Sequence, residues 1–282
     1  NVNTKYHEGL TSFDNEGNMY ISRESFYENE YVKDPESNNI TSLLGIYKIN
    51  KGDKNVIALN INSIEYSVKN PSISSDGKTL YFASDMPGGF GNFDIYRGTI
   101  DEKGDINNVE NLGQKVNTEG QEMFPFIGNK NNLYFSSDSQ LGLGGLDVFF
   151  TKEVDGKWAS VRNVGIPVNS NADDFAFSMN ESNGEGFVSS NRSGGKGSDD
   201  VYSIKILAPI CDVLLTANVM DAKTKLVIDS ATTSVSDKEG NIASSKTTSN
   251  RGIAEFMLVC DETGKLIVSK EGYNSKIVDI EI

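Results

Sequence analysis

Short apolar and aromatic runs alternate along the chain with polar, turn-forming runs. No stretch of a dozen residues sustains the three-and-four spacing of an amphipathic helix. The runs repeat. Tyr81-Phe82-Ala83-Ser84-Asp85, Tyr134-Phe135-Ser136-Ser137-Asp138 and Phe187-Val188-Ser189-Ser190-Asn191 follow one another at intervals of 53 residues. A glycine pair comes after each: Gly88-Gly89, Gly144-Gly145 and Gly194-Gly195. Each copy then reaches an acid followed by two apolar residues, namely Asp94-Ile95-Tyr96, Asp147-Val148-Phe149 and Asp200-Val201-Tyr202. A fixed period of this size marks one supersecondary unit copied along the chain.

In its clearest copy the unit reads as four antiparallel strands. Asn70 to Ser74 is a first strand, Asp76-Gly77 a hairpin turn and Leu80 to Ser84 a second strand. A glycine-rich loop, Pro87 to Asn92, leads to a third strand at Asp94 to Thr99 and a weaker fourth at Val109 to Val116. A fainter copy opens the chain, with Thr11 to Arg23 followed by Ile46-Tyr47, and Gly45 where the acid should stand. Between them Glu24 to Thr41 is long and polar, either a functional loop or a loose surface excursion. Four-stranded units at this period predict an all-β fold, a β-propeller of radially packed blades.

The junctions between copies also repeat. Val2-Asn3-Thr4, Val116-Asn117-Thr118 and Val168-Asn169-Ser170 each precede an acidic patch and then a strand; the patches hold Glu8, Glu119 with Glu122, and Asp173 with Asp174. The last copy stops after its third strand, at Tyr202 to Ile206, and four copies are few for a closed ring. We therefore expect sequence before residue 1 to supply a closing strand and one or two further blades.

The pattern changes at Ala208-Pro209. Residues 1–207 carry the repeat, and residues 208–282 read as a small Greek-key β-sandwich. Its strands are Val213–Val219, Thr232–Ser236, Ile253–Val259, Leu266–Lys270 and Ile277–Ile282, with turn residues between them. Both cysteines of the chain fall here. Cys211 and Cys260 flank strands and predict a disulfide in an oxidising compartment, the alternative being two buried free thiols.

A formal charge of −14 argues against nucleic acid and against anionic membrane surfaces, since both need clustered Lys and Arg. The chain lacks the long apolar run of a spanning helix, so direct membrane insertion is not expected.

Pro71 to Asp85 followed by Gly88-Gly89-Phe90-Gly91-Asn92-Phe93-Asp94-Ile95-Tyr96 resembles the PD40 repeat of TolB-like, WD40-like propellers. Asn191 to Tyr202 is similar to the last blade of OmpA-family periplasmic proteins of Bacteroidota. The tail, with Thr248-Ser249-Asn250-Arg251-Gly252 and Ser269-Lys270-Glu271-Gly272-Tyr273, resembles the carboxypeptidase-regulatory-like domain that follows this propeller in that family. The likeness extends to PorE-like components of the type IX secretion system. It implies a periplasmic location at the outer membrane or peptidoglycan, and protein partners from the outer membrane or secretion system. Peptidoglycan would be held through a domain absent from these 282 residues.

Candidate chemistry is sparse. Asp94, Asp147 and Asp200 are expected to accept backbone N–H bonds from their own glycine loops, the other reading being ligands of a shared ion. Glu119, Glu122, Asp173 and Asp174 are either solvated loop ends or a partner-binding rim at the axial opening. Trp158 is either an inter-blade packing residue or a sugar-stacking platform. His7 is the single histidine, which rules out a multi-histidine metal site, and no Gly-x-Ser-x-Gly elbow accompanies it. We expect no catalytic residues, no cofactor and no metal, hence a chain that is not an enzyme but a scaffold for protein contacts. The alternative is a glycan- or peptidoglycan-binding module.

Overall fold

The computed structural model describes residues 7–24, 32–33, 40–41, 43–154, 156–205, 212–236, 240–259 and 264–280. Among these residues every regular element is a strand and no helix occurs. The chain forms two compact units, Asn1–Leu207 and Ala208–Ile282.

The first unit is a run of antiparallel sheets in chain order. Sheet one holds β1 (Glu8–Phe13), β2 (Met19–Glu24), β5 (Leu44–Ile49) and β6 (Ile57–Ala58). A two-strand hairpin, β3 (Val32–Lys33) and β4 (Ile40–Thr41), is inserted before β5. Sheet two is β7 (Val68–Ile73), β8 (Thr79–Ser84), β9 (Asp94–Ile100) and β10 (Ile106–Asn111). Sheet three is β11 (Glu122–Ile127), β12 (Asn132–Ser137) and β13 (Asp147–Val154), with β14 (Lys157–Trp158) and β15 (Arg162–Asn163) both on β13. Sheet four is β16 (Asp174–Asn180), β17 (Glu185–Ser190) and β18 (Asp200–Lys205). The first strands β1, β7, β11 and β16 lie side by side in that order, which makes them the innermost strands of four neighbouring blades.

Alternation along each strand explains the stacking. Successive side chains point to opposite faces, so each central strand has two apolar faces to cover. Leu80 and Phe82 of β8 join Tyr20 and Ile46 of sheet one in one core. Tyr81 and Ala83, one residue out of phase, join Leu133, Phe135 and Phe149 of sheet three in the next. Between sheets three and four the contact is aromatic, with Tyr134 and Phe177 ring centroids 4.8 Å apart. Each such fully buried side chain stabilises the stack by roughly 1.5–3 kcal/mol. No blade covers both faces alone, and the stack follows from that.

Each innermost strand breaks register at the same place: Glu8/Thr11, Lys69/Ser72, Met123/Phe126 and Phe175/Ser178. In three of them the bulged residue is left-handed, Asn70 at φ 55°, Phe124 at 54° and Ala176 at 51°. The bulge turns the inner strand and increases its twist. Asparagine tolerates that conformation, whereas phenylalanine and alanine accept it at a cost of about 1–2 kcal/mol.

The junctions hold a second device. Asn117 Oδ1 accepts the N–H of Ile95 at 2.8 Å, and its Nδ2 donates to the carbonyl of the same residue at 3.0 Å. Asn169 does the same to Val148 (2.8 and 2.8 Å), and Asn62 to Ile46 (2.8 and 2.9 Å). A carboxamide thus takes the place of one residue of an added strand. The linker into each new blade is thereby fastened to the third strand of the blade before it.

The second unit pairs β19 (Asp212–Asn218) with β22 (Ile253–Val259). Its other sheet has the order β21 (Ile242–Thr247), β20 (Thr232–Ser236), β23 (Gly264–Ser269), β24 (Lys276–Ile280). Ala217, Ala254 and Phe256 from the first sheet meet Val235 and Leu266 from the second in one core. Strand β21 is exposed at every position, so its sequence lacks the alternation that reveals the others. Cys211 and Cys260 lie outside the described residues, and so does the expected bond between them.

Candidate functional site: the glycine-loop face

In an up-and-down blade, the loop from second to third strand emerges at the same end as the linker to the next blade. Backbone contacts tie the two together: Asn92 N–H donates to the Gly120 carbonyl at 2.8 Å. This end of the propeller carries all three repeated acids.

Asp94 is buried, and its carboxylate accepts from Phe90 N–H (2.6 Å), Gly91 N–H (3.1 Å) and Asn111 Nδ2 (2.7 Å). Asp147 accepts from Leu143 N–H (2.6 Å) and Gly144 N–H (2.9 Å). Asp200 accepts from Lys196 N–H (2.7 Å) and Gly197 N–H (3.0 Å). Charge-assisted bonds of this kind are about twice as strong as neutral ones. They hold each loop in a tight turn over the start of its third strand. Glycine is needed for the approach: a Cβ on Gly89 would stand 2.5 Å from Asp94 Oδ2.

The junction acids divide. Glu119 is exposed, and Asp173 accepts from Leu146 N–H (2.9 Å) and Asn191 Nδ2 (2.8 Å). Glu122 and Asp174 are fully buried, which corrects their reading as solvated or partner-facing carboxylates. Glu122 accepts from Thr118 N–H (2.7 Å), Thr118 Oγ1 (2.7 Å) and Ser137 Oγ (2.6 Å). Burial raises its pKa above the ordinary glutamate range, while the bonds from Ser137 and Thr118 pull the other way. Asp174 binds Ser170 N–H at 2.6 Å and the guanidinium of Arg192. Arg192 also donates to the Pro167 carbonyl (3.0 Å) and the Val168 carbonyl (2.6 Å), and stacks over Tyr202. Nothing in the repeat singles out this arginine, because the other copies have no counterpart. Both buried acids stitch the linker to the blade it enters.

Trp158 is 8% exposed and meets Tyr81 edge-on, with centroids 6.5 Å apart. It closes the core between sheets two and three and offers no face to a sugar, which corrects its place among partner-binding candidates. Among the described residues, no cluster of three or more His, Cys, Asp or Glu side chains is placed to hold a metal ion.

Beside its polar residues this face exposes large apolar side chains. Phe90 (41%), Leu141 (94%), Leu143 (50%) and Ile166 (80%) stand out on it. Phe90 and Leu143 sit on the loops pinned by Asp94 and Asp147, since their own N–H groups make the pinning bonds. Periodicity missed these residues, because loop tips have none. At the opposite end of the innermost strands lies a cavity of about 410 Å³, lined by Phe13, Pro71, Phe124, Phe126 and Phe177.

The blades, their radial stacking and their loop face define the class: the chain is an all-β protein of the β-propeller type. No family model matches the chain, and no curated protein matches it significantly. Solved structures of propeller-like fold do. A gluconolactonase from Xanthomonas campestris is 12% identical with a TM-score of 0.44, covering 70% of this chain and 56% of its own. Prolyl oligopeptidase B from Galerina marginata is 11% identical with a TM-score of 0.42, covering 93% and 39%. PorZ, a surface component of the type IX secretion system of Porphyromonas gingivalis, is 12% identical with a TM-score of 0.37, covering 97% and 44%. The chain thus spans about half or less of the length of these structures. Several of the similar structures are enzymes, so the expectation that this chain is not one is withdrawn. Likeness at this level concerns the fold and assigns no reaction.

Proposed function

We propose that the chain is a protein-binding scaffold of the bacterial cell envelope whose working surface is the glycine-loop face. The observation that carries this reading is a set of exposed apolar side chains on carboxylate-fastened loops. An exposed leucine on a floppy loop loses side-chain and backbone entropy on binding, whereas one on a pre-ordered loop loses much less. Leu141, Leu143, Phe90 and Ile166 are apolar side chains of the kind that interface centres use, and Glu119 and Asp138 are exposed polar residues of the same face.

The resemblance to PD40 repeats and to the carboxypeptidase-regulatory-like domain supports a periplasmic setting. There the chain would act as a PorE-like adaptor between outer-membrane or secretion-system proteins and the wall. The glycan alternative has lost the aromatic platform it relied on, since Trp158 is buried.

Affinity capture from envelope extracts, followed by mass spectrometry, tests the reading. The native chain should retain an outer-membrane or secretion-system protein. The Leu141→Ser, Leu143→Ser double variant should lose it with its thermal unfolding unchanged. Retention of sugar alone, or equal capture by the double variant, would sink it.

A further inference from the structure

Charged residues make up 23% of the chain, yet none lines the cavity of about 410 Å³ at the far end of the innermost strands. Aromatic and aliphatic side chains line it together with hydroxyls and carboxamides, and all four blades contribute. Phe13 of β1 is the most open of its rings, at 60% exposure. Phe124 and Phe126 of β11 are half-buried, and Asn15 and Asn129 stand on the hairpin turns that follow β1 and β11.

Rings and hydroxyls are both held in place. Phe124 packs on Phe175 with centroids 5.2 Å apart, and Phe126 packs on Tyr134 and Phe177 at 6.1 and 6.5 Å. Two cavity-lining residues, Phe124 and Ala176, hold the left-handed bulge conformation. A bulge re-aims the side chains around it, and backbone strain of this kind gathers at ligand sites. Ser12 Oγ accepts the N–H of Ile73 at 2.9 Å, and Ser72 Oγ that of Ile127 at 3.0 Å. Each of these hydroxyls still has its own proton to donate. Ser178 stands at the matching position of β16, since it faces Phe187 as Ser72 faces Tyr81.

Such a lining disfavours three kinds of ligand. An ion would lose water and meet no opposite charge. A wholly apolar molecule would leave the hydroxyls and carboxamides without partners. A wholly polar one would gain nothing from the rings. A pyranose suits both parts of the lining, because its hydroxyls point outward around an uncharged ring whose faces carry C–H groups. The negative face of an aromatic ring attracts those C–H groups. We infer that this cavity binds a neutral saccharide, of mono- or disaccharide size at this volume. Phe13 supplies the stacking face that the buried Trp158 does not, and the inner-strand serines supply hydrogen bonds. The site lies at the opposite end of the inner strands from the glycine-loop face and is independent of it.

Titration calorimetry of the full chain with maltose, cellobiose and N,N′-diacetylchitobiose tests this. At least one of these sugars should bind saturably, with a Kd in the millimolar range or tighter. Phe13→Ser should weaken that binding about tenfold, and Phe13→Tyr, which keeps an aromatic face, should restore it. Phe13 is exposed, so both variants should keep the native thermal unfolding. Absence of saturable binding by all three sugars overturns the proposal. So does a Phe13→Ser variant that binds as the native chain does, or binding of the flat apolar probe indole more tightly than every sugar.

Discussion

Lys69 shows how one residue can depart from its repeat and leave a measurable trace. It occupies the strand position that Met123 and Phe175 take in the next two blades, one residue before the bulge. Its ammonium lies 3.4 Å from the centre of the Phe93 ring, a cation–π contact that softens an apolar setting. Burial pushes its pKa down to about 8, against the opposing pull of Asp85. The folded state therefore releases this proton more readily than the unfolded state does. Stability should rise as pH climbs from about 8 toward the ordinary lysine value, and the penalty should be fully present below that window. Urea midpoints measured across this range should show that slope in the native chain and lose it in Lys69→Met. Equal slopes in the two proteins would refute the assignment.

At the scale of the element, the junction asparagines make a sharper demand. Asn117 is buried and uses both ends of its carboxamide on Ile95, with a further bond from Nδ2 to Asn111 Oδ1 at 2.8 Å. Asn117→Asp keeps the acceptor and the shape but removes the donor and buries a charge against a carbonyl. Asn117→Asp should cost about 3 kcal/mol or more, read as a shift in the denaturant midpoint. A loss below about 1 kcal/mol would show the pin to be incidental. Elements also show where the sequence could be read and where it could not. The strands around Tyr81, Tyr134 and Phe187 were legible because one aromatic run recurs every 53 residues, with an Asp-Gly turn as a further local signal before Tyr81. The bulges were not, since Phe124 and Ala176 are residues that seldom adopt a positive φ. The junction at Ile61-Asn62-Ser63 escaped notice because isoleucine stands there in place of valine. Glu122 and Asp174 looked solvated because a carboxylate beside a linker usually is. Their burial depends on hydroxyl and arginine partners, some of them distant in sequence, that no local pattern reveals.

At the scale of the whole molecule, two cores with separate compositions imply two folding units. The propeller unit buries stacked aromatics in several layers, whereas the sandwich relies on one small cluster around Phe256. The sandwich should therefore melt first. Scanning calorimetry of the full chain should show two transitions, and Phe256→Ala should lower the first alone by about 3–5 kcal/mol in stability. A single transition that moves as a whole would contradict independent units.

The asparagine fastening has a consequence for how such a chain can change over generations. Each linker is bonded to the blade behind it and each core is shared with the blade ahead, and the bonding geometry is the same at every step. A crossover between any two linkers would delete or duplicate a whole blade while leaving the asparagine bonds matched. Diversity in ring size then needs no new chemistry, only unequal exchange at a short apolar–Asn–hydroxyl seam.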